Sequence, residues 1–231
     1  MNVITTPNSV ECDGFSISLA GIGALLIDVA RSDFCAQTQK RFWALAAALR
    51  SDCALPIREL VPGVNNLLVV FNPLQLTTQQ LQDKVLGLWA QAGEADIASR
   101  EVEIPMIYGG AAGEDLLMLA DAAGLAVEQW VACHSAVTYQ VACVGSMPGF
   151  AYLSGLPTRL ALARRSAPRT RIEKGAVIIG GSQAGVMPCA SPSGWHLVGH
   201  SDLDLFDPHR ADPCLLMPGD RVRFVSQGIA L

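Results

Sequence analysis

The strongest constraint on the fold is a change of pattern at Thr138. Beyond this residue, no segment keeps the apolar spacing of a long helix. Short apolar runs alternate with glycine and proline instead, at residues 139–144, 176–179, 195–198, 203–206 and 221–225. Many short strands with dense turn signals are typical of a β-barrel or a β-sandwich. The C-terminal part is therefore predicted to be a β-domain, with two short helices at 114–123 and 127–135 before its main run of strands.

The N-terminal part alternates strand and helix patterns. Apolar runs at 24–30 and 67–71 and an alternating run at 57–61 predict strands. Asp33 is placed to cap a helix that runs to about residue 49, and Thr77-Thr-Gln-Gln80 has the residues of a capping box for a second helix. With an alternating strand at 101–108, the order becomes βαββαβ, the ferredoxin-like arrangement.

The boundary between the two predicted domains lies in a polar stretch at residues 93–100. We place it so that residues 1–98 form the ferredoxin-like domain and residues 99–231 form the β-barrel domain. The strand at 101–108 could belong to either domain, because it completes the first pattern and also begins the second. The expected fold class is α+β.

Charge and hydropathy exclude several classes of protein. The formal net charge of −5 gives no global attraction for nucleic acid or an anionic membrane. The longest apolar stretches, 44–49 and 67–71, are far shorter than the roughly 20 residues that cross a bilayer. The first residues have neither the basic start nor the apolar core of a signal peptide. We therefore expect a soluble protein of the cytoplasm.

The sequence lacks the motifs of common metal and nucleotide sites. Seven cysteines are present without a Cys-x-x-Cys pair, so neither a metal cluster nor a disulfide framework is predicted. There is no P-loop and no Gly-x-Ser-x-Gly motif. His196 and His200 are four residues apart but lie outside any His-Glu-x-x-His motif, and we predict no metal ligands.

A dense cluster of cations is the clearest candidate for chemistry. It holds six of the sixteen lysines and arginines and one acid, Glu173. The cations are Arg159, Arg164, Arg165, Arg169, Arg171 and Lys174. They could form a solvated face, or they could bind an anion, for which the arginine fork suits carboxylate and phosphate. The residues alone leave both interpretations open.

Three loops could surround a small polar ligand. Phe150 and Tyr152 follow a Pro-Gly turn, Gln183 lies in a glycine-rich loop, and Trp195 ends a third loop. Aromatic walls with a few polar groups are typical of small-molecule sites. His134 shares the apolar face of the helix 127–135, where it could act as an acid or base, pack in the core, or interact with the helix C-terminus.

Short motifs occur in a fixed order along almost the whole chain. In the first part they are Val61-Pro-Gly63, 67–71 with Pro73, Ile104-Pro105 and Tyr108-Gly-Gly110. In the second part they are His134-Ser135, Pro148-Gly-Phe-Ala-Tyr-Leu153, Gly155-Leu-Pro157, Arg164-Arg165, Pro168-Arg169, Gly180-Gly181 with Gln183, Gly185, Pro188, Ser191-Pro192, Gly194-Trp195, Leu205-Phe-Asp-Pro208 and Pro218-Gly-Asp-Arg-Val-Arg-Phe224. In order and spacing they resemble the KipI family, also called allophanate hydrolase subunit 1 and understood as the B-type component of 5-oxoprolinase.

The resemblance implies an N-terminal αβ domain, a C-terminal cyclophilin-like β-barrel, and a complex with C-type and A-type subunits. That complex opens 5-oxoproline to glutamate with ATP, which we expect to bind at a site shared with the partner subunits. For this reaction we expect the anion to be held by Arg165 and Arg169, an oxygen by Gln183, and water to be excluded by Phe150 and Trp195, with Tyr152 in the same site. His134 would be the acid or base.

Five positions depart from the family pattern, at Glu114, Ser146, Ala184, Met187 and Ser193. Three of them lie in the candidate ligand loops, so the exact substrate is less constrained than the family. Three alternative functions stay open. They are inhibition of a sporulation-type histidine kinase, action on urea or allophanate beside a biotin carboxylase, and prolyl isomerisation, which the barrel type alone suggests.

Overall fold

A computed structural model describes residues 10–12, 15–29, 34–91 and 99–230 of the 231. Contacts between Cα atoms divide the chain into two compact units, Met1–Ile97 and Ala98–Leu231. The domain boundary expected after residue 98 falls at the end of the segment 92–98, which lies outside the described residues. It stays a prediction.

The first unit is an antiparallel sheet of five strands with two helices. The strands are β1 (Val10–Cys12), β2 (Phe15–Leu19), β3 (Ala24–Asp28), β4 (Ile57–Gly63) and β5 (Asn66–Phe71), in the order β1-β2-β3-β5-β4. The helices are α1 (Ala36–Ser51) and α2 (Thr78–Gln91). The core contains alternate residues of the strands and one face of each helix, including Phe42 and Trp89, whose ring centroids are 4.9 Å apart.

The helix starts test two predictions from the sequence. The capping box before α2 is confirmed, because the Gln80 N–H donates to Thr77 Oγ1 at 3.3 Å and the Thr77 N–H donates to Gln80 Oε1 at 2.9 Å. Asp33, the cap expected for α1, lies outside the described residues. The helix begins at Ala36 after Cys35, without a side-chain cap.

The βαββ part of the expected ferredoxin-like order forms as β3, α1, β4 and β5. The last strand of that order is instead a barrel strand in the second unit, and β2 occupies the sheet position beside β3. The alternation Phe-Ser-Ile-Ser-Leu at 15–19, which buries Phe15 and Ile17, is the sequence signal for β2. It supplies the neighbour that β3 would otherwise lack.

The second unit is a closed barrel of seven strands, which confirms the β-barrel and the α+β class. Around the barrel the strands follow the order β10-β11-β8-β7-β14-β6-β13. Their bounds are β6 (Glu101–Gly109), β7 (Tyr139–Val144), β8 (Ala151–Ser154), β10 (Ala176–Gly180), β11 (Gln183–Val186), β13 (His196–His200) and β14 (Arg221–Ala230). Strands β9 (Arg169–Ile172) and β12 (Ser191–Ser193) pair separately as a small sheet.

Short helices complete the second unit. They are α3 (Leu116–Ala122), α4 (Val127–Ser135) and two 3-10 turns, Ala111–Gly113 and Thr158–Leu160. The strand predicted at 203–206 does not form. In that segment Phe206 makes an isolated bridge to Cys214. Within the described residues, no single helix is long and apolar enough to cross a membrane. The segments Ala111–Ala122 and Val127–Ser135 reach that hydropathy only as a pair, which is bent by 102°.

Alternation along the barrel strands separates two apolar clusters. Ala151 and Leu153 of β8, with Ala184 and Val186 of β11, belong to the barrel core. A second cluster contains Phe150, Ile172, Ala176, Ile178, Met187, Trp195 and Leu197. Its members in barrel strands, Ala176, Ile178 and Leu197, alternate with core residues of β10 and β13. Because side chains of a strand alternate between its faces, Tyr152, between the core residues Ala151 and Leu153 of β8, lies on the outer face of the barrel.

Candidate functional site

The loops identified from the sequence meet in one cleft on the outer face of the barrel. The cleft has a volume of about 300 Å³. Its lining residues are Ser146, Met147, Phe150, Tyr152, Arg164, Arg165, Pro168, Met187, Pro192, Ser193, Gly194 and Trp195. Four of the predicted substrate-binding residues are thus brought together: Phe150, Tyr152, Arg165 and Trp195.

Three aromatic side chains form the walls of the cleft. The ring of Phe150 meets the ring of Tyr152 edge-on at 5.0 Å between centroids and that of Trp195 at 5.8 Å. Such edge-to-face contacts fix ring orientation. Glycines behind the rings leave room for them, since a Cβ on Gly180 would lie 2.7 Å from the Trp195 indole and one on Gly185 would lie 2.9 Å from Phe150. The glycine-rich loop therefore serves close packing of the cleft walls.

Two guanidinium groups line the same cleft. Arg164 is exposed, and its Cζ lies 5.3 Å from the centroid of the Trp195 ring, within the range of a cation–π contact. The backbone N–H of Arg165 donates to the Gly194 carbonyl at 2.8 Å, which joins the arginine loop to the residue before Trp195. Within the described residues no carboxylate pairs with Arg164. The cleft thus combines apolar walls with an available positive charge.

Arg169 does not line the cleft. Its guanidinium donates to Glu114 Oε1 from Nε at 2.8 Å, and to both oxygens of Asp115 from Nη1 and Nη2 at 3.0 Å each. The hydrogen bonds that Arg169 donates to Asp115 are the main reason that the pKa of Arg169 is raised. The anion that Arg169 binds is therefore internal. Its predicted role in substrate binding stays a prediction that this geometry does not favour.

Other members of the cation cluster also have internal partners. Arg171 pairs with Glu173 at 2.6 Å, and Lys174 pairs with Asp204 at 2.5 Å. All four of these side chains are more than half exposed. For Arg171 and Lys174 the solvated-face interpretation fits. The cluster therefore contains cleft cations, surface ion pairs, and Arg169, whose acid partner Asp115 is buried.

Asp115 is a functional candidate that the sequence analysis missed. Its side chain is only 9% exposed, and Oδ2 accepts a hydrogen bond from the Leu197 N–H at 2.8 Å. The Nδ1 atom of His196 lies 4.0 Å from the same oxygen. Burial favours a higher pKa for Asp115, but hydrogen bonds from Arg169 and the Leu197 N–H outweigh it, so the pKa is lowered. The sequence did contain a signal for it. Glu114 and Asp115 form an acidic pair just before a helix, in a chain with a dense arginine cluster that such acids could bind.

Gln183 does not line the cleft. In the pairing of β11 with β8, Gln183 is opposite Ser154, and Ala184 is opposite Leu153. Because Ala184 and Leu153 face the barrel core, Gln183 shares the outer face with Tyr152. A contact from Gln183 to a ligand stays a prediction.

His134 lies in the barrel core and does not line the cleft. Its side chain is fully buried, its ring stacks on Trp130 with centroids 5.2 Å apart, and Nδ1 is 2.8 Å from the hydroxyl of Tyr108. Burial lowers the pKa of His134 to about 3. A neutral imidazole enclosed by aromatic rings fits the packed-core alternative, and its catalytic role stays a prediction.

The buried position of His134 predicts acid sensitivity of folding. Because His134 is protonated less readily in the folded than in the unfolded state, stability has its full value above the unfolded pKa of about 6.5 and is lost as the pH falls below it. The loss should be about 1.4 kcal/mol per pH unit, or about 2 kcal/mol between pH 7.5 and pH 5. His134→Gln cannot titrate, so urea unfolding at the two pH values should show a difference smaller by that amount. His209→Gln, at an exposed histidine, is the control, and equal acid dependence of wild type and His134→Gln would contradict the prediction.

Comparison with known proteins gives a consistent match over most of the chain. Residues 15–216 match the family described as carboxyltransferase domain, subdomain C and D. The B-type component of 5-oxoprolinase from Escherichia coli O157:H7 is 45% identical over 82% of this chain and 86% of that protein. The corresponding B-type component from Haemophilus influenzae is 41% identical over 84% of this chain and 90% of that protein.

Solved structures share the fold. The crystal structure of TTHA0988 aligns with a TM-score of 0.77 at 34% identity, over 88% of this chain and 39% of that chain. This chain thus spans about two fifths of that longer protein. The urea amidolyase of Kluyveromyces lactis aligns with a TM-score of 0.79 at 18% identity, over 95% of this chain and 15% of that one, which is a likeness of fold alone.

Proposed function

Because the chain belongs to the KipI family of B-type 5-oxoprolinase components and carries their carboxyltransferase-type domain, we propose that it is the B-type component of an ATP-dependent 5-oxoprolinase. It would work with C-type and A-type subunits to hydrolyse 5-oxoproline to glutamate. The observation that carries the proposal is the cleft, in which Arg164 and Arg165 border the apolar walls formed by Phe150, Tyr152 and Trp195. A cytoplasmic location, where ATP is abundant, belongs to the same proposal.

The cleft suits a small carboxylate with a compact ring. Its volume of about 300 Å³ is at the lower end of ligand pockets. A guanidinium binds a carboxylate through charge-assisted hydrogen bonds, and Arg164 has no internal carboxylate among the described residues. The aromatic rings would cover the faces of the lactam and keep bulk water from it. A guanidinium beside apolar walls also acts more strongly on charge that develops there than it would in water.

ATP would transfer a phosphoryl group to the lactam oxygen, which makes the adjacent carbon more electrophilic. Water would then add to that carbon and the C–N bond would break, with a proton going to the nitrogen. Hydrolysis of the acyl phosphate left behind would release phosphate and glutamate. The sequence lacks a P-loop, and the described residues contain no cluster of acids and histidines that could hold a metal ion. We therefore propose that the nucleotide binds at a site shared with partner subunits. This chain would bind and orient the lactam and exclude water from it.

The proposal is tested by reconstitution. The purified chain is combined with candidate A-type and C-type subunits, and glutamate release from 5-oxoproline with ATP is measured with each component omitted in turn. We expect release only when this chain is present, because the lactam-binding cleft lies on it. Equal release without it would overturn the proposal. Parallel assays with urea and allophanate, and a kinase-inhibition assay, test the alternatives that the sequence left open.

A further inference from the structure

We propose that Asp115 is a positioning residue for the cleft, whose buried carboxylate holds Arg165 and the start of β13 in the arrangement that binds substrate. The proposal rests on the proposed function, because it takes the cleft as the place where 5-oxoproline binds. Asp115 does not line the cleft, so it would act through the residues it contacts.

One carboxylate contacts the two segments that carry the arginine side and the indole side of the cleft. On the first side, Asp115 Oδ1 lies 3.5 Å from Arg165 Nη1 and accepts a hydrogen bond from Arg169 Nη2 at 3.0 Å. On the second side, Oδ2 accepts the Leu197 N–H at 2.8 Å, two residues after Trp195. The carboxylate therefore fixes the arginine loop relative to the segment that carries the indole wall.

The orientation of Arg165 depends on this contact. Its side chain is 34% exposed, and its buried Nε has no hydrogen-bond partner among the described residues. The contact of Nη1 with Asp115 is the ion pair that the structure gives this guanidinium. Loss of the negative charge would leave Arg165 free to turn out of the cleft. It would also leave Arg169 with Glu114, whose side chain is 55% exposed, as its remaining acid partner.

Asp220 provides a matched control in the same unit. Its side chain is 4% exposed, it accepts hydrogen bonds from Arg100 Nε at 3.1 Å and Nη2 at 2.5 Å, and it accepts the Met217 N–H at 2.9 Å. The chemistry is that of Asp115, an arginine fork plus one backbone N–H on a buried carboxylate. Neither Asp220 nor these partners line the cleft.

The experiment compares Asp115→Asn with Asp220→Asn in the reconstituted complex. We expect Asp115→Asn to raise the KM for 5-oxoproline at least about tenfold while kcat changes much less, because binding is lost and the chemistry is not. Asp220→Asn should leave KM unchanged, although both variants lower the Tm. If KM is unchanged in Asp115→Asn, or rises equally in both variants, Asp115 has a structural role only and the positioning proposal falls.

Hydrogen exchange separates failure of this proposal from failure of the proposed function. Asp115→Asn should accelerate amide exchange in the segments 164–169 and 194–197, whereas Asp220→Asn should not. If the wild-type complex does not hydrolyse 5-oxoproline, the proposed function falls, and exchange alone decides whether Asp115 orders the cleft. Unchanged exchange in both segments would overturn the positioning role.

Discussion

Replacing Arg164 with glutamine is expected to raise the KM of the reconstituted complex for 5-oxoproline by about 10- to 100-fold. The reason is that Arg164 is the cleft cation for which the described residues offer no carboxylate, so its charge is available to the substrate. A hydrogen bond to a charged group contributes about 1.5–3 kcal/mol, and each 1.4 kcal/mol corresponds to about a factor of ten in affinity. Steady-state kinetics with varied 5-oxoproline at saturating ATP measure the effect.

Arg171→Gln is the matched control for this substitution. Arg171 belongs to the same cation cluster and its side chain is 68% exposed, but it pairs with Glu173 and does not line the cleft. We expect its KM to equal that of the wild type. Because Arg164 is exposed, thermal unfolding should be nearly unchanged in both variants. A normal KM in Arg164→Gln would show that Arg164 does not bind the substrate carboxylate.

Arg169 shows that the sequence could not determine which cations of the cluster already have acid partners in the folded protein. Local chemistry placed Phe150, Tyr152, Arg165 and Trp195 in one predicted site, since aromatic and cationic residues in turn-rich loops are typical of ligand sites. The structure brings these four side chains to one cleft, and their role in binding stays a prediction. The acids that occupy Arg169 are 54 and 55 positions earlier in the chain. Only the fold brings them within hydrogen-bonding distance, so a charge count within the cluster overstates the cations available to a ligand.

The sequence likewise predicted strands without showing which sheet each strand joins. Alternation along 101–108 correctly indicated a strand, and in the structure Ile104, Met106 and Tyr108 form its buried face. A two-residue period tells which side chains are buried but not which sheet they join. The strand β6 belongs to the barrel because it pairs in parallel with β14 and antiparallel with β13. Both partners are separated from β6 by more than eighty residues. The helix α2 was more predictable, because its capping box and its apolar stripe are local.

Gly199→Ala is expected to destabilise the barrel by about 3 kcal/mol. A Cβ at this position would lie 2.2 Å from the carbonyl oxygen of Ile107 and 3.0 Å from the Cα of Tyr108. Both are backbone atoms of β6, so no side chain can rotate to relieve the overlap. Gly199 pairs with Tyr108 where β13 joins β6, and separating these strands would break hydrogen bonds that close the barrel. Overpacking of a close-packed interior typically costs about 1–3 kcal/mol, and contact with backbone places this case at the upper end. Urea unfolding followed by circular dichroism measures the loss.

Gly145→Ala, in the same unit, is the control for the loss of a glycine. Nothing lies within 4 Å of a Cβ at Gly145, so this variant should be as stable as the wild type or up to about 1 kcal/mol more stable. Equal stability of Gly199→Ala and wild type would mean that β6 and β13 do not approach as closely as the structure indicates.

The KM of a folded Gly199→Ala protein adds a second result, because β13 also carries Leu197. A normal KM in that weakened barrel, beside a raised KM in Asp115→Asn, would show that the carboxylate, and not the closure of the barrel, holds Trp195 in the cleft.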